Sequence, residues 1–170
     1  DRDSGVRTDQ GRGHMTEPKP ALAVANADIK VLENLLPTMP SHIQTLPDAV
    51  ATMLVARELG LRPMTPFPAL MVLNGNIGMT SKLMLALVLK AGHRSPILEM
   101  SDTRAARQAF RREGDELIDM GVFEFTWEQA ETANLAPKDT YQAYPADMLM
   151  NKCIARMVRF AYPDVIRGYV

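Results

Sequence analysis

The closing segment, "YPADMLMNKCIARMVRFAYPDVIRGYV" from Tyr144 to Val170, constrains the fold more than any other stretch. It reads as a greasy helix that has to be buried, yet Lys152, Arg156 and Arg159 are set into it. At 100° per residue those cations fall within about 40° of one line. Met150, Cys153, Ile154, Met157, Val158, Phe160 and Ala161 occupy the rest of the circumference, centred on the far side. The chain must therefore supply a core for one side of this helix and leave a narrow cationic stripe on the other. Two readings of the stripe stand side by side. The long side chains snorkel, with stems on the core and heads in water, or they form a ridge that tracks phosphates.

A core of that size is within reach of this chain. It has 170 residues, 46% of them hydrophobic, enough for a single domain. The formal net charge is −1, so there is no global basic field, and a polyanion would have to meet local patches. The one cysteine, Cys153, excludes an internal disulfide framework and fits a reducing cytoplasm. Lys82 and Lys90 bracket the longest apolar run, "LMLALVL", which falls short of a membrane span. No secretory signal is seen. Residues 1–14 read as an expression-vector scar, residues 15–27 as a flexible arm, and residues 28–170 as the single domain.

Along that domain the patterns are mixed. "NADIKVLENLLPTM" spaces Ile29, Leu32, Leu35 and Leu36 as a helix, with Asn26 or Asp28 as cap and Pro37 as stop. "TLPDAVATMLVARELGL" predicts a helix capped by Thr45 and ended by Gly60, with Val50, Met53, Leu54, the Arg57 stem and Leu61 as its stripe. "RPMTPFP" has too much proline for helix or inner strand. In "ALMVLNGNIGMT" two short apolar runs flank "NGN", and Asn and Gly accept the positive φ of a type I′ hairpin turn. "SKLMLALVLKAGH" predicts a helix capped by Thr80 or Ser81 and ended by Gly92. "SPILEMS" suggests a strand, and "DTRAARQAFRREGD" a helix or a tight helix-like loop. "VFEFTW" alternates as a strand does. "TWEQAETANL" carries a capping box, Thr126 with Gln129, and "PKDTYQAYP" reads as a linker before the closing helix. The expected class is α+β: one or two small antiparallel sheets, a short hairpin among them, packed with several helices and ending in a long one.

Residue constellations for catalysis are scarce, and no enzyme activity is expected. His42 and His93 have no carboxylate or second histidine at metal-ligand spacing, and one cysteine does not make a zinc site. "NGNIGMTSK" places Gly75, Gly78, Ser81 and Lys82 before a helix, but the order Ser-Lys and the short loop break the phosphate-loop pattern. No cofactor is called for, and Mg2+ is left open. Charge is more informative. Lys82, Lys90, Arg94, Arg104, Arg107, Arg111 and Arg112 stand against Glu99 and Asp102. Glu113, Asp115, Glu116, Asp119, Glu124, Glu128, Glu131, Asp139 and Asp147 then stand against Lys138. A basic half and an acidic half suit polyanion binding and head-to-tail assembly; ordinary solvated ion pairs are the plainer account.

Three stretches together resemble the RecT/Redβ superfamily of phage single-strand annealing proteins. They are "VARELGLRPM", "GNIGMTSKLMLALVLKAGH" and "YPADMLMNKCIARMVRFAYPDV", and with their spacing the likeness runs from Leu46 to Val165. The resemblance implies an ATP-independent protein of phage or prophage recombination that binds single-stranded DNA and anneals complementary strands as a ring or filament. It implies basic groove positions at Lys152, Arg159 and Lys82. Ala146, Asp147 and Met150 depart from positions that relatives often hold basic. With the charge pattern, the nucleic-acid-binding candidates are Lys82, Lys90, Arg94, Arg104, Arg107, Arg111, Arg112, Lys152, Arg156 and Arg159. Implied partners are single-stranded DNA, the annealed duplex, further copies of the chain, and a phage exonuclease or host single-strand-binding protein, with no membrane. The implied location is a bacterial cytoplasm. The family's carboxy-terminal partner region is expected to be short, absent or cut away here. The alternative is a phage adaptor or self-assembling structural protein.

Overall fold

Side-chain caps at Thr45, Thr80 and Thr126 start three of the helices. A computed structural model of the chain describes residues 26–62, 66–73 and 76–169. Residues 1–14, expected to be a vector scar, and all but Asn26 and Ala27 of the expected arm lie outside these. Helix α1 (Asn26–Leu35) runs into a single 3-10 turn, Leu36–Thr38, so Pro37 lies inside this extension rather than just beyond the helix. Helix α2 (Leu46–Glu58) opens on a reciprocal cap: Thr45 Oγ1 accepts from the Asp48 N–H, and Asp48 Oδ2 accepts from the Thr45 N–H at 3.0 Å. It closes at Gly60, whose φ of +64° suits a residue without Cβ.

The stripe expected on α2 is corrected. Met53 is buried, but Val50, Leu54 and Leu61 are only half-buried. Ala49, Thr52, Val55 and Ala56 are buried instead. The helix is gripped from two sides: Ala49 and Met53 join Leu32, Ile43 and Phe67 in a small cluster, while Val55, Ala56 and Leu59 join the main core. The proline-rich stretch is corrected too, because Pro66–Ala69 forms one helical turn, α3; residues 63–65 lie outside the described ones.

Strands β1 (Leu70–Leu73) and β2 (Asn76–Met79) pair antiparallel, with Leu73 opposite Asn76 and Leu70 opposite Met79. The turn residues Asn74 and Gly75 themselves lie outside the described residues. Helix α4 (Ser81–Lys90) follows with Thr80 as its cap, and the chain turns at Gly92 (φ +87°).

The second sheet holds the main surprise. Strands β3 (Ile97–Met100), β4 (Arg104–Glu113) and β5 (Glu116–Thr126) form an antiparallel sheet in that order. The segment "DTRAARQAFRREGD" is thus mostly a strand, not a helix or helix-like loop. Its Ala and Arg favour helix in isolation, but pairing and packing override that preference. Ala105 and Ala109 are fully buried in the core that the closing helix covers, where their small side chains admit close packing. The hairpin turns at Gly114 (φ +59°), with Glu113 opposite Glu116. A register shift after Ala109 faces Gly121 (φ +90°), whose N–H donates to Asp119 Oδ1 at 2.8 Å.

Helix α5 (Trp127–Thr132) starts on the Thr126–Gln129 capping box. The supposed linker contains a short helix, α6 (Asp139–Ala143), with Tyr141 buried in the core. Helix α7 (Pro145–Ala161) then lies across β4 and β5 and alongside α4. It buries Leu149, Met150, Cys153, Ile154, Met157, Val158 and Ala161. Phe160, placed on the core side from the sequence, is 73% exposed. The fold is α+β: seven helices and two small antiparallel sheets among the described residues, with the long α7 closing the core. No helix of the described residues is long and apolar enough to cross a membrane.

Candidate nucleic-acid interface

Where α4 and α7 pack side by side, Ser81 Oγ donates to Asn151 Oδ1 at 2.7 Å. This bond ties the start of α4 to the middle of α7. Beside it opens a groove of about 770 Å³. Its apolar wall comes from the first hairpin and the two helices: Pro68, Ala69, Met71, Met79, Leu83, Met148 and Ala155. Thr80, Ser81 and Asn151 add polar groups. Lys82, Lys152 and Arg159 complete the lining, all three exposed at the residue level. None of the three makes an ion pair among the described residues. Two remote sequence positions thus converge: the first turn of α4 and one side of α7.

Arg156 does not join them. It lines a smaller depression of about 390 Å³ with Val122, Phe123, Glu124, Gln129 and Phe160, and its Nη1 lies 3.5 Å from the Glu124 carbonyl and from Gln129 Oε1. The stripe of three cations is therefore divided between two faces. Arg156 makes no ion pair among the described residues; Asp164 is taken by Arg111.

The cations of residues 90–112 have varied fates. Arg107 is 6% exposed, turned into the core between β4 and α7. Its Nε donates to Ser95 Oγ at 3.0 Å, its Nη2 donates to the Ser95 carbonyl, and Nη1 lies 3.8 Å from Met150 Sδ. No carboxylate meets it among the described residues, and burial lowers its pKa. Arg104 pairs with Glu99 on β3 and Glu124 on β5, which raise its pKa. Arg111 makes a bidentate pair with Asp164 at 2.8 and 2.9 Å and donates to the Ala161 carbonyl at 3.1 Å, at the C-terminus of α7. Arg112 Nε donates to the Gly92 carbonyl at 3.1 Å, and Lys90 Nζ to the Gly60 carbonyl at 3.3 Å. Arg94 is exposed and lines an apolar depression with Leu89, Phe110 and Leu117. The basic and acidic halves of the sequence are in part the two strands of one hairpin, joined across the ladder by the Arg104–Glu124 ion pair.

Two features escaped the sequence. Tyr141, placed in a linker, is 2% exposed and lines the groove, and its hydroxyl has no hydrogen-bond partner among the described residues. Its only signal was a large amphipathic ring among small and polar neighbours. His93 is buried, stacks on Tyr162 with ring centroids 4.9 Å apart, and accepts the Arg112 N–H on Nδ1 at 3.0 Å. Among the described residues no group of three or more His, Cys, Asp or Glu is placed to hold a metal ion. Cys153 is buried and donates to the Phe123 carbonyl at 3.2 Å; burial pushes its thiol pKa up, against the opposing charge of Arg107.

Compared with known proteins, the chain matches no family model, no curated protein and no solved structure.

Proposed function

We propose that the chain binds single-stranded DNA without ATP and promotes annealing of complementary strands, acting as an oligomer in phage or prophage recombination. The observation that carries this reading is the groove in which Lys82, Lys152 and Arg159 stand without carboxylate partners among the described residues, beside a methionine-rich wall. Cations so placed neutralise phosphates and release counterions, which holds a backbone without choosing a sequence. Met side chains adapt to whatever lies on them. The sequence resemblance to the RecT/Redβ superfamily supports the same reading and supplies the annealing step. Pairing energy comes from the strands, so no hydrolysis is needed. Low aromatic content, 6%, fits bases left free to test a partner.

The test is an annealing assay on two complementary oligonucleotides, with and without protein, in the absence of nucleotide. Acceleration by the wild type supports the proposal; no acceleration and no oligonucleotide binding defeat it. Lys152→Ala with Arg159→Ala should leave folding nearly intact, because exposed cations contribute little to stability. The double variant should bind every oligonucleotide sequence more weakly. The slope of log affinity against log salt should fall by about 0.7 for each phosphate that the variant no longer neutralises. Ile154→Asp is the contrast: Ile154 is 5% exposed, and an unpaired buried charge there should unfold the protein.

A further inference from the structure

Helix α4 meets the groove with its N-terminus. The first four backbone N–H groups of a helix have no acceptor within it. Here two are taken: the Thr80 N–H donates to the Ala69 carbonyl at 2.9 Å, and the Leu83 N–H to Thr80 Oγ1 at 3.3 Å. Those of Ser81 and Lys82 have no acceptor among the described residues. Thr80, Ser81 and Lys82 all line the groove, so this pair of donors sits in its wall. An independent observation belongs to the same groove: the buried Tyr141 hydroxyl has no partner among the described residues. A buried polar group without a partner is costly, and such groups are usually satisfied when a ligand or water is bound.

Two free amides at a helix N-terminus suit an anion with several acceptor oxygens, because the partial positive charge of the helix end points the same way. Lys82, Lys152 and Arg159 bring full charges to the same place, and no acidic side chain among the described residues lines the groove. From this we infer that the groove seats one phosphate group on the N-terminus of α4. The Ser81 and Lys82 amides are its fixed donors and Lys82, Lys152 and Arg159 its neutralising charges; the Tyr141 hydroxyl, closed off from solvent here, becomes a further donor only when its ring turns toward the seated group. Resting on the single-strand-binding reading, the seated group is a phosphodiester of the bound strand. Flexible cations alone would let a strand slide. A rigid backbone seat fixes one phosphate per protomer and so sets the register of the strand, while its bases stay free.

Ser81→Pro tests the seat at one atom. Proline at the first helical position removes the N–H but keeps a helix. Thr80 already has the extended conformation, φ −67° and ψ 148°, that a residue before proline adopts. Ser81→Ala is the reference, since both variants lose the Ser81–Asn151 bond but only the proline loses the amide. With a 5′-hydroxyl oligothymidylate, anisotropy should show Ser81→Pro binding about tenfold more weakly than Ser81→Ala, as expected for one charge-assisted hydrogen bond. Equal affinity overturns the seat. If the proline variant does not fold, amide spectra of the wild type decide: the Ser81 and Lys82 resonances should shift on titration with the oligonucleotide and with inorganic phosphate, and resonances unmoved by both overturn it. The two proposals also separate. Oligonucleotide binding with no effect at these amides removes the seat and leaves the binding reading standing. A response to inorganic phosphate with none to the oligonucleotide keeps the seat and removes single-stranded DNA as its ligand.

Discussion

At the scale of single residues, buried charge is where the fold is most exposed to chemistry. His93 accepts the Arg112 N–H on Nδ1, which in the neutral ring leaves the proton on Nε2. Burial pushes its pKa below 6.5, and Arg111 and Arg112 push the same way, while Asp164 opposes them. The unfolded chain therefore binds the proton more readily. The stabilisation is complete above about pH 6.5, is lost as pH falls toward the lowered folded value, and changes no further below it. Melting temperature should fall as the buffer is taken from about pH 7.5 to about pH 5, and His93→Gln should flatten that portion of the curve. A wild-type curve with no slope there removes His93 as the sensor. Arg107 poses the complementary problem, a buried cation that meets no carboxylate among the described residues. Replacing a buried ion with an apolar side chain of similar length is often neutral or stabilising. Arg107→Met should melt at or above the wild-type temperature and, under the proposed single-strand binding, should hold an oligonucleotide as tightly as the wild type. Arg107→Ala should cost about 2–5 kcal/mol through the cavity it leaves. A folded Arg107→Met that has lost DNA binding would return this arginine to the interface.

At the scale of elements, what the sequence made legible was local. Thr45, Thr80 and Thr126 were readable as caps because a cap is satisfied within three residues. The first hairpin was readable because two short apolar runs flank Asn-Gly-Asn. Strand β4 was not, because Ala105, Arg107, Gln108 and Ala109 favour helix until β5 pairs with them and α7 covers them. The same long-range pairing decided the arginines. Nothing near Arg104 in sequence announces Glu124, and nothing near Arg111 announces Asp164. For the groove, Lys82, Lys152 and Arg159 were legible as cations, but the apolar wall between them, built by hairpin and helices together, was not. The β4–β5 turn offers the cleanest check on this element. Gly114 has a positive φ, and a Cβ added there meets nothing within 4 Å, so strain comes from the backbone alone. Gly114→Val should destabilise by about 1–2 kcal/mol, and Gly114→Asn by less, since Asn tolerates the left-handed region. Equal melting temperatures for glycine, asparagine and valine at this position would show that the turn is not under that constraint.

At the scale of the whole molecule, the sheet is covered unequally. Helix α7 lies on one face of β3–β5, while Ile97, Leu98 and Met100 on edge strand β3, and Leu117 and Val122 on β5, remain exposed. Val122 lies opposite Gln108 and Leu117 opposite Arg112, so both are on the face away from Arg107 and the buried Ala105 and Ala109. The sequence alone suggested assembly through opposite charges, but Arg104 spends its charge on Glu99 and Glu124, and Arg111 on Asp164, within one protomer. The larger unpartnered resource is apolar, and apolar association responds to salt in the opposite sense from ion pairing. Light scattering with a long oligonucleotide present should report a particle larger than one protomer. Screening is short, about 3 Å, at 1 M salt, and an assembly held by the sheet should persist there once formed, even as phosphate binding weakens. Leu117→Glu together with Val122→Glu should reduce the particle toward single protomers, leaving the melting temperature little changed because both side chains are already substantially exposed. Dissociation of the wild type by salt alone, with the double variant assembling normally, would assign assembly to charge and leave the exposed sheet without that role.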